Sequence, residues 1–276
     1  MLQARDGRAR WRQLRRLCTV HEIRRALDRG RIVRVGRGLY VLPDLSAPRT
    51  AAASVGGVLS HLSAAREMGL AVLRTPDPIH VTVPRGSHRS SPAGVRLHHA
   101  PLRPDEIRRT ATAPLRTVVD CAVALPFAEA LAVADSALRQ GLLGRQDLLE
   151  AVAERRGPGR AKLRRVAEHA SDEAASALES GLRAAVIDAG IEGFLPQLRI
   201  RLPGHRTVAV DLGDPSRKIA LEADSYTHHG GRREFRMDCR RYNELVCAGW
   251  LVLRFPWEDV LSGAAGATVT RACALR

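Results

Sequence analysis

The 276-residue sequence predicts a multi-domain α/β chain, on three observations. It is too long for one ordinary domain, since domains run to roughly 100–200 residues. Its apolar pattern changes period repeatedly, from the three-and-four spacing of helices to the alternation of strands. Its charge is unevenly divided: of a formal +15, residues 1–120 hold +13, with 22 basic against 9 acidic side chains, whereas residues 171–276 hold 14 of each. A composition with 45% hydrophobic residues excludes wholesale disorder. No run reaches the ~18 apolar residues of a spanning helix, and the arginine-dense start lacks the apolar core of a signal peptide. A soluble, cytoplasmic protein without a membrane partner is expected. The five cysteines have no short-spaced pair, which points to buried reduced thiols rather than a zinc ribbon or a disulfide framework.

Residues 1–48 form the first predicted domain. Trp11, Leu14 and Leu17 recur every third position and give a short helix one buried stripe. Thr19-Val-His-Glu22 spells a capping box, so a second helix starts there, turns Ile23, Ala26 and Leu27 inward, and ends at Gly30. The period then shortens to two through Arg31–Val35 and Leu39–Leu42, around a Gly36-Arg-Gly38 turn, which predicts a hairpin. Two helices joined by a tight turn and followed by a basic hairpin make a winged helix-turn-helix. DNA is then the expected partner: Arg24, Arg25 and Arg29 would reach the major groove or its flanking phosphates, and Arg34 and Arg37 the backbone or minor groove.

The stretch ending Arg29-Gly-Arg-Ile-Val-Arg-Val-Gly-Arg-Gly-Leu-Tyr40 resembles the N-terminal domain of AbiEi-type antitoxins of type IV toxin–antitoxin systems, over about 45 residues. The resemblance implies operator binding, often with autoregulation, and a toxin partner. Residues 49–153 look like the α+β middle region of such proteins. They contain a helical run at 60–68, strand-like pieces at 79–83 and 95–98, and helices from Leu115 and Ala128. His98-His99 reads as a solvated pair, because adjacent strand residues point to opposite faces and no carboxylate lies close by. Residues 154–170 read as a linker or connecting helix.

The last predicted domain, residues 171–276, has the sharpest chemistry. Ser171–Gly190 has the pattern of an amphipathic helix carrying Glu179. Val208-Ala-Val-Asp211-Leu and Lys218-Ile-Ala-Leu-Glu222-Ala-Asp224 alternate on either side of a short turn, as an antiparallel hairpin does. Asp211 and Glu222 can then converge, within about 5 Å, a separation that one cation with ligands at ~2.1 Å can bridge. Glu179 joins them from the helix. Three carboxylates at one point repel unless a hard divalent cation lies between them, and Mg²⁺ or Mn²⁺ suits such oxygen donors.

The series Val-Ala-Val-Asp211, Ile-Ala-Leu-Glu222-Ala-Asp224-Ser-Tyr-Thr-His228-His229 and Asp238-Cys-Arg-Arg241, ending in Gly249-Trp-Leu-Val-Leu-Arg254-Phe, resembles an endonuclease-like family related to very-short-patch-repair endonucleases in the PD-(D/E)XK superfamily. It covers about 90 residues. The resemblance implies a restriction-endonuclease-like mixed sheet flanked by helices, with Asp211 and Glu222 as metal ligands and Glu179 as a supporting acid. Asp224 stands where the superfamily usually has lysine, and His228 where related nucleases place a catalytic histidine. Asp238 and Arg241 would begin the helix beside the site.

Together these expectations describe a DNA-binding protein with a Mg²⁺-dependent endonuclease-like domain that hydrolyses phosphodiester bonds. The competing expectation is a non-catalytic, antitoxin-like repressor whose degenerate nuclease fold serves for homodimerisation or for binding a partner.

Overall fold

A computed structural model describes residues 6–75, 77–88, 90–224 and 232–276. The chain is mixed α/β and divides into two units, Met1–Gly69 with Thr75–Asp120, and Leu70–Arg74 with Cys121–Arg276. The segment holding the +13 thus lies in the first unit, apart from Arg74. No described helix is long and apolar enough to cross a membrane.

The first unit opens with strand β1 (Arg8–Arg10) and helix α1 (Trp11–Arg15). Helix α2 (Val20–Asp28) starts where Thr19 Oγ1 accepts the Glu22 amide at 3.2 Å while Glu22 Oε2 accepts the Thr19 amide at 2.7 Å. Strands β2 (Val33–Gly36) and β3 (Leu39–Val41) follow, and the sheet order is β1-β3-β2, antiparallel throughout. Ala9, Leu14, Ile23, Ile32 and Tyr40 fill the space between these helices and the sheet.

Helix α3 (Ala47–Ser54), strand β4 (Val58–Leu59), helix α4 (His61–Glu67), strands β5 (Ile79–Val83), β6 (Val95–His99), β7 (Ile107–Arg108) and β8 (Ala111–Thr112) complete this unit around a mixed sheet of order β6-β5-β4-β8-β7. β5 and β6 run parallel, with Thr82 opposite His98. A Cβ on Gly57 would fall 2.6 Å from the Thr82 carbonyl oxygen, so only glycine lets the chain approach β5 here. Helix α5 (Pro114–Ala124) follows.

The second unit has helices α6 (Phe127–Arg139), α7 (Arg145–Glu154), α8 (Arg160–His169) and α9 (Ala177–Asp188). Strands β9 (Leu195–Arg201), β10 (Thr207–Asp214) and β11 (Ile219–Asp224) come next, then helix α10 (Arg232–Cys247), strand β12 (Leu251–Pro256) and helices α11 (Trp257–Ser262) and α12 (Ala264–Cys273). The sheet order is β12-β11-β10-β9; β9, β10 and β11 are antiparallel and β12 runs parallel to β11. One face buries Leu212, Ile219, Leu221 and Phe255 against Leu178, Leu182 and Val186 of α9 and Val269 of α12. The other buries Val208, Val210 and Ala220 against Leu245 of α10. Gly266 lets α12 close on α9, because a Cβ there would stand 2.9 Å from the Ala185 carbonyl oxygen.

Three expectations change. The helix read from Ser171 starts only at Ala177, because the Ser171 amide is drawn to Asp135 Oδ1 at 2.9 Å and Ser176 caps the helix by accepting the Glu179 amide at 3.2 Å. Asp238 and Arg241 lie inside α10 rather than at its start. All five cysteines are free, but Cys239 and Cys247 are exposed on α10, whose outer side they occupy.

Candidate functional site

The candidate acids of the second unit lie where the β10–β11 ladder ends. That ladder ends with Leu212 opposite Leu221, one residue short of Asp211 and Glu222. There the side chain replaces the backbone: Asp211 Oδ2 accepts the Ala223 amide at 2.8 Å. On the other side of Asp211, Gln197 has φ +49°, a left-handed conformation rare outside glycine. Strand alternation breaks at this point, sending Val210 to one core and Leu212 to the other. Gln197 also donates from Nε2 to Glu179 Oε2 at 2.8 Å, and the same oxygen accepts the Ala175 amide at 2.8 Å. Glu179 is thereby fixed at the start of α9.

Arginines face these acids. Arg241, one turn before Leu245 on the buried side of α10, donates to Glu222 Oε1 at 2.8 Å and to the Ala209 carbonyl at 3.3 Å. Its other nitrogen donates to the Tyr242 hydroxyl at 2.9 Å. Arg254, level with Glu222 on β12, pairs with Asp224 at 2.6 Å. Both guanidiniums lie over the Tyr242 ring, 4.8 and 4.4 Å from its centroid.

Four carboxylates against two guanidiniums leave an excess of negative charge around one buried carboxylate, that of Glu222. Glu222 is only 5% exposed, and burial, with the Asp211 charge beside it, raises its carboxyl to about 7 despite Arg241. Burial likewise raises Asp211 to about 6; the Ala223 amide opposes this, and Glu179 and Asp224 reinforce it. The structure thus sets the charges of Glu179 and Asp224 near Asp211, and those of Asp211 and Asp224 near Glu222. His228 lies outside the described residues. The donors are all oxygens, which fits a hard cation. Their oxygens do not, however, form a tight trio. Among the described residues, the three-member cluster of potential ligands with every ligand atom within 4.8 Å is His61, His80 and His98.

No protein-family model matches the chain. Two proteins of Mycobacterium tuberculosis, the uncharacterized protein Rv2248 of strain H37Rv and the uncharacterized protein MT2308 of strain CDC 1551, are each 36% identical to it over 155 residues. That stretch is 55% of this chain and 56% of each relative. The chain therefore spans about half the length of the curated relatives it matches.

In the first unit, Arg24, Arg25 and Arg29 are exposed on and just after α2, and Arg34 and Arg37 are exposed on and beside β2. Among the described residues none of the five is ion-paired. Sequence reasoning passed over Gln197, Tyr242 and Arg254 as site residues, and it misjudged His98. That residue is half-buried, with its Nε2 3.0 Å from His80 Nδ1 and its ring stacked on His61 at 3.8 Å. Burial, then the neighbouring imidazoles and arginines, lowers His61 to about 3 and His98 to about 4, and burial lowers His80. Alternation along β5 and β6 could have revealed part of this, since it puts His80 and His98 on one face of the sheet.

Proposed function

We propose that this chain is a DNA-binding protein whose second unit carries a Mg²⁺- or Mn²⁺-dependent phosphodiester hydrolase site of the PD-(D/E)XK type. The observation that carries this is Asp211 and Glu222 one residue beyond the last β10–β11 ladder pair, Glu222 buried and Asp211 half-buried, both pushed toward the protonated form. Such a pair is costly alone, and a cation between its oxygens relieves it. Asp211 and Glu222 would hold the metal. When bound, the ion would polarise the scissile phosphate and make an attacking water more acidic.

The protein's own groups do the rest. Glu179, locked by Gln197 and the Ala175 amide, sets the negative edge facing Asp211. Arg241 supplies the cationic phosphate contact that the superfamily takes from lysine, and Arg254 and Tyr242 hold Asp224 and Arg241 in place. His228 is assigned proton transfer. The mixed sheet with helices on both faces supports the fold reading, and the order β1-β3-β2 with α1 and α2 between β1 and β2 supports a winged helix for DNA docking. Five exposed arginines, none ion-paired among the described residues, add to that module's positive charge.

One observation favours the non-catalytic repressor: Arg241 and Arg254 already neutralise Glu222 and Asp224, as they would in a site kept for architecture. Plasmid nicking with Mg²⁺ or Mn²⁺ separates the two. The hydrolase reading expects nicking by the wild type and none by Asp211→Ala or Glu222→Ala. Nicking that survives both substitutions removes this site, and inactivity on every DNA and RNA substrate supports the repressor.

A further inference from the structure

We infer that His61, His80 and His98 form a binding site for a divalent transition-metal ion of the Zn²⁺ class, built into the first unit and independent of the carboxylate site. Three elements supply one ligand each: His61 the first residue of α4, His80 from β5 and His98 from β6. All three ligand atoms lie within 4.8 Å of one another. His80 Nδ1 and His98 Nε2 are 3.0 Å apart. Two nitrogens each ~2.0–2.1 Å from one tetrahedral ion stand roughly 3.3–3.4 Å apart, so this pair, now at hydrogen-bond distance, has to open by only a few tenths of an ångström.

The surroundings fit ligation. His61 Nδ1 meets the Ser60 hydroxyl at 3.0 Å, which orients the ring and leaves Nε2 for the ion. The His61 backbone has φ +51°, a conformation a non-glycine residue rarely adopts, and it carries the ring into the cluster. His61 and His80 are each 6% exposed, whereas His98 is half-buried and leaves one side open. Thr82, opposite His98 in the ladder, is fully buried, and among the described residues its Oγ1 has no hydrogen-bond partner. A water or anion in the fourth coordination position would give it one. An all-imidazole set selects Zn²⁺ or its neighbours in the first transition row over Mg²⁺, which prefers oxygen. The stacked rings of His61 and His98, 22° from parallel, must turn apart for both lone pairs to reach one ion.

The test uses the full chain stripped with EDTA and titrated with Co²⁺. One equivalent should give the strong visible ligand-field bands of a four-coordinate nitrogen-rich site, and Zn²⁺ should abolish them. His98→Ala should lose the bands. His99→Ala and the double variant Asp211→Ala, Glu222→Ala should keep them. Absence of the bands in the wild type, or bands that persist in His98→Ala, would overturn the inference. X-ray absorption on the Zn²⁺-loaded wild type needs no substitution: a shell at ~2.0 Å with imidazole scattering from three histidines is expected, and a carboxylate-only shell refutes the site.

Discussion

Arg241 donates to Glu222 at 2.8 Å from a guanidinium that is itself largely buried, so the helix α10 and the strand β11 are joined by an ion pair inside the candidate site. Removing the guanidinium leaves a carboxylate with little water and Asp211 nearby. Arg241→Ala should destabilise the protein by about 2–4 kcal/mol at pH 8, somewhat less than a fully buried pair would lose because the guanidinium is partly exposed. At pH 5, where Glu222 is already protonated, the loss should shrink to less than half. Urea denaturation of the variant at both pH values measures this, and equal losses would show that Arg241 acts through packing alone.

The raised carboxyl groups make metal-free stability depend on pH in a fixed direction. Glu222 titrates near 4.5 when unfolded and at about 7 when folded, so the folded state binds the proton more tightly. Its favourable contribution is complete below about 4.5 and is lost as pH rises through about 7. Glu222→Gln cannot ionise, so in EDTA its stability relative to wild type should rise between pH 4.5 and 7 and level off above, by on the order of a few kcal/mol. Thermal melts across this range test the sign. Mn²⁺ should restore the wild type more at pH 8 than at pH 5, because protons compete with the cation for the same oxygens.

Why some of this was legible in the sequence and some was not follows from the range of the interactions. Asp211 and Glu222 are 11 residues apart on two alternating runs with a short turn, so local periodicity is enough to bring them together. Gln197 is different: its role depends on a positive φ in the neighbouring strand, and nothing in Leu195–Arg201 announces one. The resemblance put Arg241 on the helix beside the site, but its ion pair with Glu222 shows only once the packing of Leu245 gives the inward side of α10. The three histidines are 19 and 18 residues apart along the chain and meet only through the parallel β5–β6 register and the unusual His61 backbone. The late start of α9 also hides in a tertiary contact, since Asp135 takes the Ser171 amide.

Asp135 leads to a prediction about how α6 and α9 are joined. Its carboxylate is fully buried in α6 and bonds Arg183 of α9 at 2.6 Å, while Arg183 also donates to the His169 carbonyl at 2.5 Å. Burial raises the Asp135 carboxyl and Arg183 opposes this. Arg183→Met should cost about 3–5 kcal/mol by stranding that charge, and Asp135→Leu with Arg183→Met should recover at least half. A double-mutant cycle by chemical denaturation decides it; additive losses would mean that the pair is not coupled.

The basic first unit makes a prediction that needs no catalysis. If Arg24, Arg25, Arg34 and Arg37 contact phosphates, duplex binding should weaken with salt along a log–log slope of about −0.9 per contact. Each exposed arginine replaced by alanine should then make the slope shallower by about one such step, while the melting temperature barely moves, since exposed unpaired residues change stability by about 0.5 kcal/mol or less. Fluorescence anisotropy at several salt concentrations reads the slope, and thermal melts read the stability. A slope unchanged across the four arginine variants would move the phosphate contacts elsewhere on the unit's surface, whereas a shallower slope only for Arg34→Ala and Arg37→Ala would place DNA on the hairpin rather than on α2.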